Sequence, residues 1–157
     1  MRVQEYFVES IKRAAQEAFN YAKAVPADKL DWRPLEGGRS VIDICRELAM
    51  TPTWAHDTIE GVEADWSPEA QEALKKMQSD WRTVDDCQAQ FNERAQKMEE
   101  LFRNMPDERL SQTRWLPYGG GRDFTTVEMM EYPKWNLDYH TGQIAYIQTL
   151  YGDKEMH

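Results

Sequence analysis

Asn136, His140, Gln143, Ile147 and Leu150 recur at three- and four-residue intervals near the C-terminal end of the chain. On a helix they form one stripe, and Leu137, Ile144 and Tyr151 fall on the same side. An amide, an imidazole and a second amide therefore sit in the middle of a face expected to be buried. Buried polar groups require partners, and stranding one costs about 1–3 kcal/mol. Two kinds of chemistry fit such a stripe: a closed hydrogen-bond network, or a ligand-binding site built inside a helical bundle. The chain offers a natural partner in Glu47, at the border of another apolar helical side, where a carboxylate can reach a neighbouring helix. Asp43, one turn earlier, suits the start of that helix better than it suits a ligand.

The elements that must position these groups follow from periodicity and punctuation. Phe7, Ile11, Ala14, Ala18, Ala22 and Val25 predict a first helix over Val3 to Val25, stopped by Pro26. Residues 31–39 are rich in breakers. Ser40 stands where an N-cap belongs, with Asp43 completing a capping box, and Val41, Ile44, Cys45, Leu48, Ala55 and Ile59 mark a second helix that Pro52 is expected to kink. Ser67 and Pro68 open a short helix over Glu69 to Gln78. Thr83 caps a third long helix from Val84 to Met105, ended by Pro106. The stretch 107–122 is expected to be non-helical, with Gly119–Gly121 as the most flexible loop. Thr125 or Thr126 opens the last long helix, running to about Tyr151 and bent at Pro133. With no alternating strand pattern and no repeat, residues 1–157 read as one all-α domain, a four-helix bundle whose connectivity stays open.

Composition narrows the function. A length of 157 residues, 41% hydrophobic and 30% charged, fits a single domain with a real core. The first 25 residues lack the apolar run of a signal peptide, and no stretch approaches a membrane span, so the expected location is cytoplasmic. A net charge of −9 without a dense Lys/Arg cluster argues against nucleic acid and anionic membranes as partners. Small molecules, or a second copy in a homodimer, fit better. Cys45 and Cys87 match no metal or redox motif and read as small buried hydrophobes. Trp54, Trp135, Tyr139 and Tyr146 read as core or rim packing. His56 should point away from Glu47, and His157 belongs to a tail expected to be disordered. No phosphate loop or nucleophile elbow is present.

The segments Trp32-Arg-Pro-Leu-Glu-Gly-Gly-Arg-Ser40, Val41-Ile-Asp-Ile-Cys-Arg-Glu47, Met105-Pro-Asp-Glu-Arg-Leu110 and Trp135-Asn-Leu-Asp-Tyr-His140-Thr-Gly-Gln143-Ile together resemble the DinB/YfiT-like superfamily of metal-dependent helical bundles. The likeness runs over nearly the whole chain, although only the two site segments are specific. It implies a site of three histidines holding a divalent metal with water in the open positions, at the positions occupied here by Glu47, Asn136 and His140. Gly142-Gln143 follows as in the family pattern, with Gln143 orienting His140 or tying its helix to a neighbour. Only one of the three histidines is kept. Three imidazoles suit zinc or nickel, whereas Glu47, Asn136 and His140 form a harder, weaker set that leans toward manganese, iron or no metal at all. Two functions follow as expectations. One is a metal-dependent transferase-like bundle using a low-molecular-weight thiol, the metal acting as a Lewis acid that lowers the thiol pKa. The other is a non-catalytic small-molecule-binding or stress-associated dimeric bundle that has lost its metal and kept a polar network.

Overall fold

The computed structural model describes all residues 1–157. Four long helices form the bundle: α1 (Val3–Lys23), α2 (Val41–Glu60), α4 (Val84–Asn104) and α5 (Thr126–Leu150), with a shorter α3 (Pro68–Ser79) between the second and third. Their starts are set by local chemistry. Ser40, Ser67, Thr83 and Thr125 each accept a hydrogen bond from a backbone N–H in the first turn, and Asp43, Asp86 and Glu128 return the bond to the capping residue. Gly61 ends α2 in the left-handed conformation, with φ of 76°.

Both α2 and α5 run on through their internal prolines, Pro52 and Pro133. Neither proline breaks its element, because each sits on a buried, packed face where tertiary contacts outweigh one lost backbone hydrogen bond.

Around the bundle, α2 packs against α4 and α5, and α1 packs against α5 and α4, while α1 and α2 barely meet. Consecutive helices α1 and α2 are thus diagonal, so the bundle is not a simple up-down-up-down arrangement. The connection over residues 24–40 crosses the end of the bundle, held by the Ile42 N–H donating to the Leu30 carbonyl at 3.2 Å and by Trp32 set edge-on to Tyr151. The core is one continuous cluster that includes Ile11, Phe19, Ile44, Leu48, Met98, Phe102, Leu137 and Ile144. No residue of α3 is fully buried, so it rests on the bundle as an accessory.

One element departs from the all-α expectation. Strands β1 (Thr113–Leu116) and β2 (Arg122–Thr125) pair antiparallel, Thr113 opposite Thr125 and Leu116 opposite Arg122. The sequence hides them because none of their eight residues is fully buried and five are exposed, Thr113, Arg114 and Trp115 in β1 and Arg122 and Asp123 in β2, leaving no apolar/polar rhythm. The glycine run read as a flexible loop is the hairpin's connection. Gly119, Gly120 and Gly121 all adopt positive φ, and a Cβ on Gly121 would lie 2.7 Å from the Trp115 ring. In the C-terminal tail, His157 Nε2 pairs with Asp153 at 2.9 Å and its ring packs edge-on to Tyr21.

No helix is long and apolar enough to cross a membrane. Cys45 and Cys87 are both free and fully buried, and burial pushes both thiols well above their ordinary pKa.

Candidate functional site

The site lies where α2 faces α5. Residue 47 on α2 meets residue 140 on α5, and one turn further along α2 residue 51 meets residue 136, one turn earlier on α5; the two helices therefore run antiparallel at this point. His140 Nε2 lies 2.8 Å from Glu47 Oε1, and His140 Nδ1 lies 2.7 Å from Gln143 Oε1. Gln143 in turn donates from Nε2 to the Tyr139 hydroxyl at 3.2 Å. His140 is only 3% exposed, whereas Glu47 is 26% exposed. The imidazole is thus locked inside the bundle and the carboxylate sits at its rim.

Of the residues singled out by sequence, the structure brings Glu47, His140 and Gln143 into one hydrogen-bonded chain. Asn136 is buried beside them, yet its bond goes elsewhere: Thr51 Oγ1 donates to Asn136 Oδ1 at 2.8 Å. The second oxygen of Glu47 is taken by a guanidinium, since Arg39 pairs with Glu47 Oε2. Arg39 and Thr51 are the two site residues that sequence reasoning missed. Thr51 carried a signal, being four residues after Glu47 on the same helical face. Arg39 precedes the Ser40 cap and its side chain reaches forward along the helix to Glu47, which spacing alone does not reveal.

Asp43 caps its helix, as its position suggested. Its carboxylate accepts from the Ser40 N–H at 3.2 Å and from Arg33 at 2.9 Å, and these bonds outweigh burial to hold its pKa below the usual range. His56 points to another side of the bundle, pairing with Asp57 at 2.9 Å beside a cleft lined by Lys97, Asn104 and Arg109.

Electrostatics make Glu47 the fixed negative charge of the cluster. The hydrogen bond from His140 holds its carboxyl down at about 2, with Arg39 adding to the effect and burial opposing it. Tyr132 stands nearby; burial, reinforced by the negative charge of Glu47, pushes its phenol up to about 12, so it remains a neutral donor. Linkage gives the sign of the pH dependence. A carboxyl at 4.5 when unfolded and about 2 when folded stabilises the fold above pH 4.5 and loses that contribution as pH falls through this window. With a quarter of the side chain in water, screening leaves about 1–2 kcal/mol. Glu47→Gln should therefore be less stable than the parent by that amount at neutral pH, with the gap closing toward pH 2; urea melts across this range that give a pH-independent gap would refute the assignment.

The metal implied by the resemblance meets an unfavourable donor set. Both ring nitrogens of His140 are engaged within the cluster, Nε2 by Glu47 and Nδ1 by Gln143, so neither faces an open ligand position. Both carboxylate oxygens of Glu47 are engaged, one of them by a guanidinium, and the Asn136 oxygen is taken by Thr51. Nowhere in the chain do three or more His, Cys, Asp or Glu side chains gather as a metal site would require. The residues present do not fit a divalent metal, and no chemical step is derived through one. As arranged, the cluster can hold fixed charges and donors at a partly open rim.

A four-helix bundle with diagonal first and second helices, and a polar cluster between its second and last helices, defines a recognisable class. The chain belongs to the DinB family, whose profile matches residues 1–157. Among solved structures it is similar to YfiT from Bacillus subtilis, described as a probable metal-dependent hydrolase with an unusual four-helix bundle topology (TM-score 0.74, 14% identity, covering 95% of this chain and 87% of that one). It is similar also to a conserved protein from Enterococcus faecalis (TM-score 0.71, 13% identity, 98% and 99% covered). A third is the colibactin self-resistance protein ClbS in complex with double-stranded DNA (TM-score 0.61, 15% identity, 92% and 94% covered). At these identities the likeness establishes the shared fold. No curated protein matches the chain.

Proposed function

We propose that this DinB-family bundle is a small-molecule-binding protein whose site works through a metal-independent polar cluster. The observation that carries the reading is the pairing of Glu47 with both His140 and Arg39, which puts a guanidinium against the carboxylate that would otherwise serve as a ligand. Arg39 and Arg33 remain 40% and 58% exposed at the rim, so a ligand carboxylate can reach them from solvent. The Tyr132 phenol, kept neutral, adds a donor beside the same rim. These features favour a small carboxylate-bearing molecule, a class that includes the common low-molecular-weight thiols.

The rival reading, a metal-dependent transferase acting on such a thiol, draws on the family and on the description of YfiT. It requires Arg39 to leave Glu47 and Gln143 to release His140. The two separate cleanly in calorimetry with glutathione and cysteine as probes. Binding that persists in EDTA and is lost in Arg39→Ala supports the metal-independent cluster. Binding that appears only after adding zinc, nickel, manganese or iron overturns it. The same reading predicts that EDTA leaves the melting temperature of the untagged protein unchanged; a fall of several degrees in chelator would count against it.

A further inference from the structure

A second concave site lies on another side of the bundle, between α2 and α4. These two helices run side by side in the same direction. Arg46 donates to the Trp81 carbonyl just before α4 begins, and Arg109, just after α4 ends, donates to the Ile59 carbonyl near the end of α2. Between their C-terminal halves opens a cleft of about 430 Å³. Helix α4 lines it with Lys97, Glu100, Leu101 and Asn104, which recur at three- and four-residue intervals and so share one helical face. Helix α2 contributes His56, and the turn after α4 contributes Arg109.

We propose that this cleft binds a free α-amino acid with an apolar side chain, held as the zwitterion. Lys97 and Glu100 carry opposite charges on the same face, yet neither forms an ion pair with the other or with any other side chain. Lysine ahead of glutamate is the less favourable order on a helix, so both charges stay open to a third partner. Side chains three apart on a helix stand about 5–6 Å apart at Cβ. An α-amino acid carries its ammonium and carboxylate on one carbon, and that spacing lets the carboxylate face Lys97 while the ammonium faces Glu100. His56 reinforces the ammonium side. Its Nδ1 lies 2.9 Å from the Asp57 carboxylate, which favours the proton on that nitrogen and leaves Nε2 of the neutral ring as an acceptor. Arg109 reinforces the carboxylate side: Ile59 and Glu60 fix its Nη2 at 3.0 and 2.7 Å, and its remaining donors are left to the cleft it lines. Leu101, packed against the core, gives the ligand side chain an apolar floor.

Charge separates this ligand from simple ions. Lys97 and Arg109 stand among three carboxylates, Glu100, Asp57 and Glu60, and the C-terminal ends of two helices add partial negative charge. A bare anion gains little in such surroundings, and a bare cation meets Lys97 and the Arg109 guanidinium. A ligand carrying both charges satisfies the unpaired acid and the unpaired base together. The cleft shares no residue with the Glu47–His140 cluster, so the two sites stand or fall separately.

Heteronuclear NMR titration of the full chain at neutral pH tests it with three probes of similar shape: L-leucine, isoamylamine, which lacks the carboxylate, and isocaproate, which lacks the ammonium. Leucine should saturate and shift the amide signals of His56, Lys97 and Asn104. Each one-charge probe should bind about tenfold more weakly or worse, the effect of losing one charge-assisted hydrogen bond. Lys97→Met and Glu100→Gln should each weaken leucine by a similar factor and leave the melting temperature unchanged, since both side chains are exposed and unpaired. A leucine titration that never saturates would overturn the proposal. So would isoamylamine or isocaproate binding as tightly as leucine, shifts confined to Glu47 and His140, or either variant binding leucine as the parent does.

Discussion

The double variant Glu47→His/Asn136→His is expected to bind zinc and to melt at a higher temperature in zinc than in EDTA, a response absent from the parent. Position 47 already places its side chain 2.8 Å from His140 Nε2, and position 136 lies one helical turn before His140 on the same buried face. Two imidazoles introduced there complete a three-histidine set of the kind that holds zinc with water as the fourth ligand. Removing the carboxylate also releases Arg39, which has no reason to stay beside a neutral ring. Binding to the folded state alone stabilises by about 2.7 kcal/mol when free zinc is a hundredfold above the dissociation constant. For a domain of this length that is a rise of roughly 5–10 °C. The substitution carries a cost, since the Thr51 hydroxyl loses its acceptor at Asn136 and the apo variant should melt somewhat below the parent. Scanning calorimetry with zinc and with EDTA reads both effects. A double variant indifferent to zinc would show that the backbone positions no longer define a metal site.

The helices and their boundaries were legible because their signals are local. Ser40, Thr83 and Thr125 cap where a serine or threonine followed three residues later by an acid says they should, and all three capping boxes form. The Glu47–His140 contact was also readable, since His140 stands in the middle of one buried helical face and Glu47 at the border of another, and a buried imidazole in a bundle needs a polar partner from a facing helix. Three features lay beyond this logic. The diagonal placement of α1 and α2 depends on how a loop crosses the bundle end, and loop composition does not encode direction. The short hairpin has too few buried residues to show a rhythm. The outward row of α5 was obscured because periodicity places apolar residues on a face without saying whether that face looks inward. Leu150, which shares the stripe with Asn136 and His140, is exposed, and Trp135, Tyr139 and Tyr146, for which the sequence leaves core and rim both open, face solvent. Arg39 joined the site from a loop, where spacing rules have no purchase, and it is the residue that changes the chemistry most.

His140→Ala is expected to destabilise the protein by about 2–4 kcal/mol, equally with and without EDTA. Two contributions add. Removing a 3% exposed imidazole from between two packed helices opens a cavity that the neighbouring core, including Leu137 and Ile144, can fill only in part. The same change leaves one oxygen of Glu47 and the side-chain amide of Gln143 without their imidazole partner. Arg39 limits the loss, because it stays paired with the other carboxylate oxygen and the rim is wet enough to hydrate the freed one. The expected fall in melting temperature is roughly 5–15 °C. Gln143→Ala offers a graded comparison: it removes one hydrogen bond at a half-buried position and should cost about 1 kcal/mol. If a bound metal rather than the polar cluster held α2 to α5, the pattern would invert. The parent would then lose stability in chelator, the His140→Ala variant would not, and the two would melt close together in EDTA. Melts of the parent and both variants, each with and without chelator, distinguish these outcomes. A parent that falls to the level of His140→Ala in EDTA would remove the physical basis for a metal-independent site.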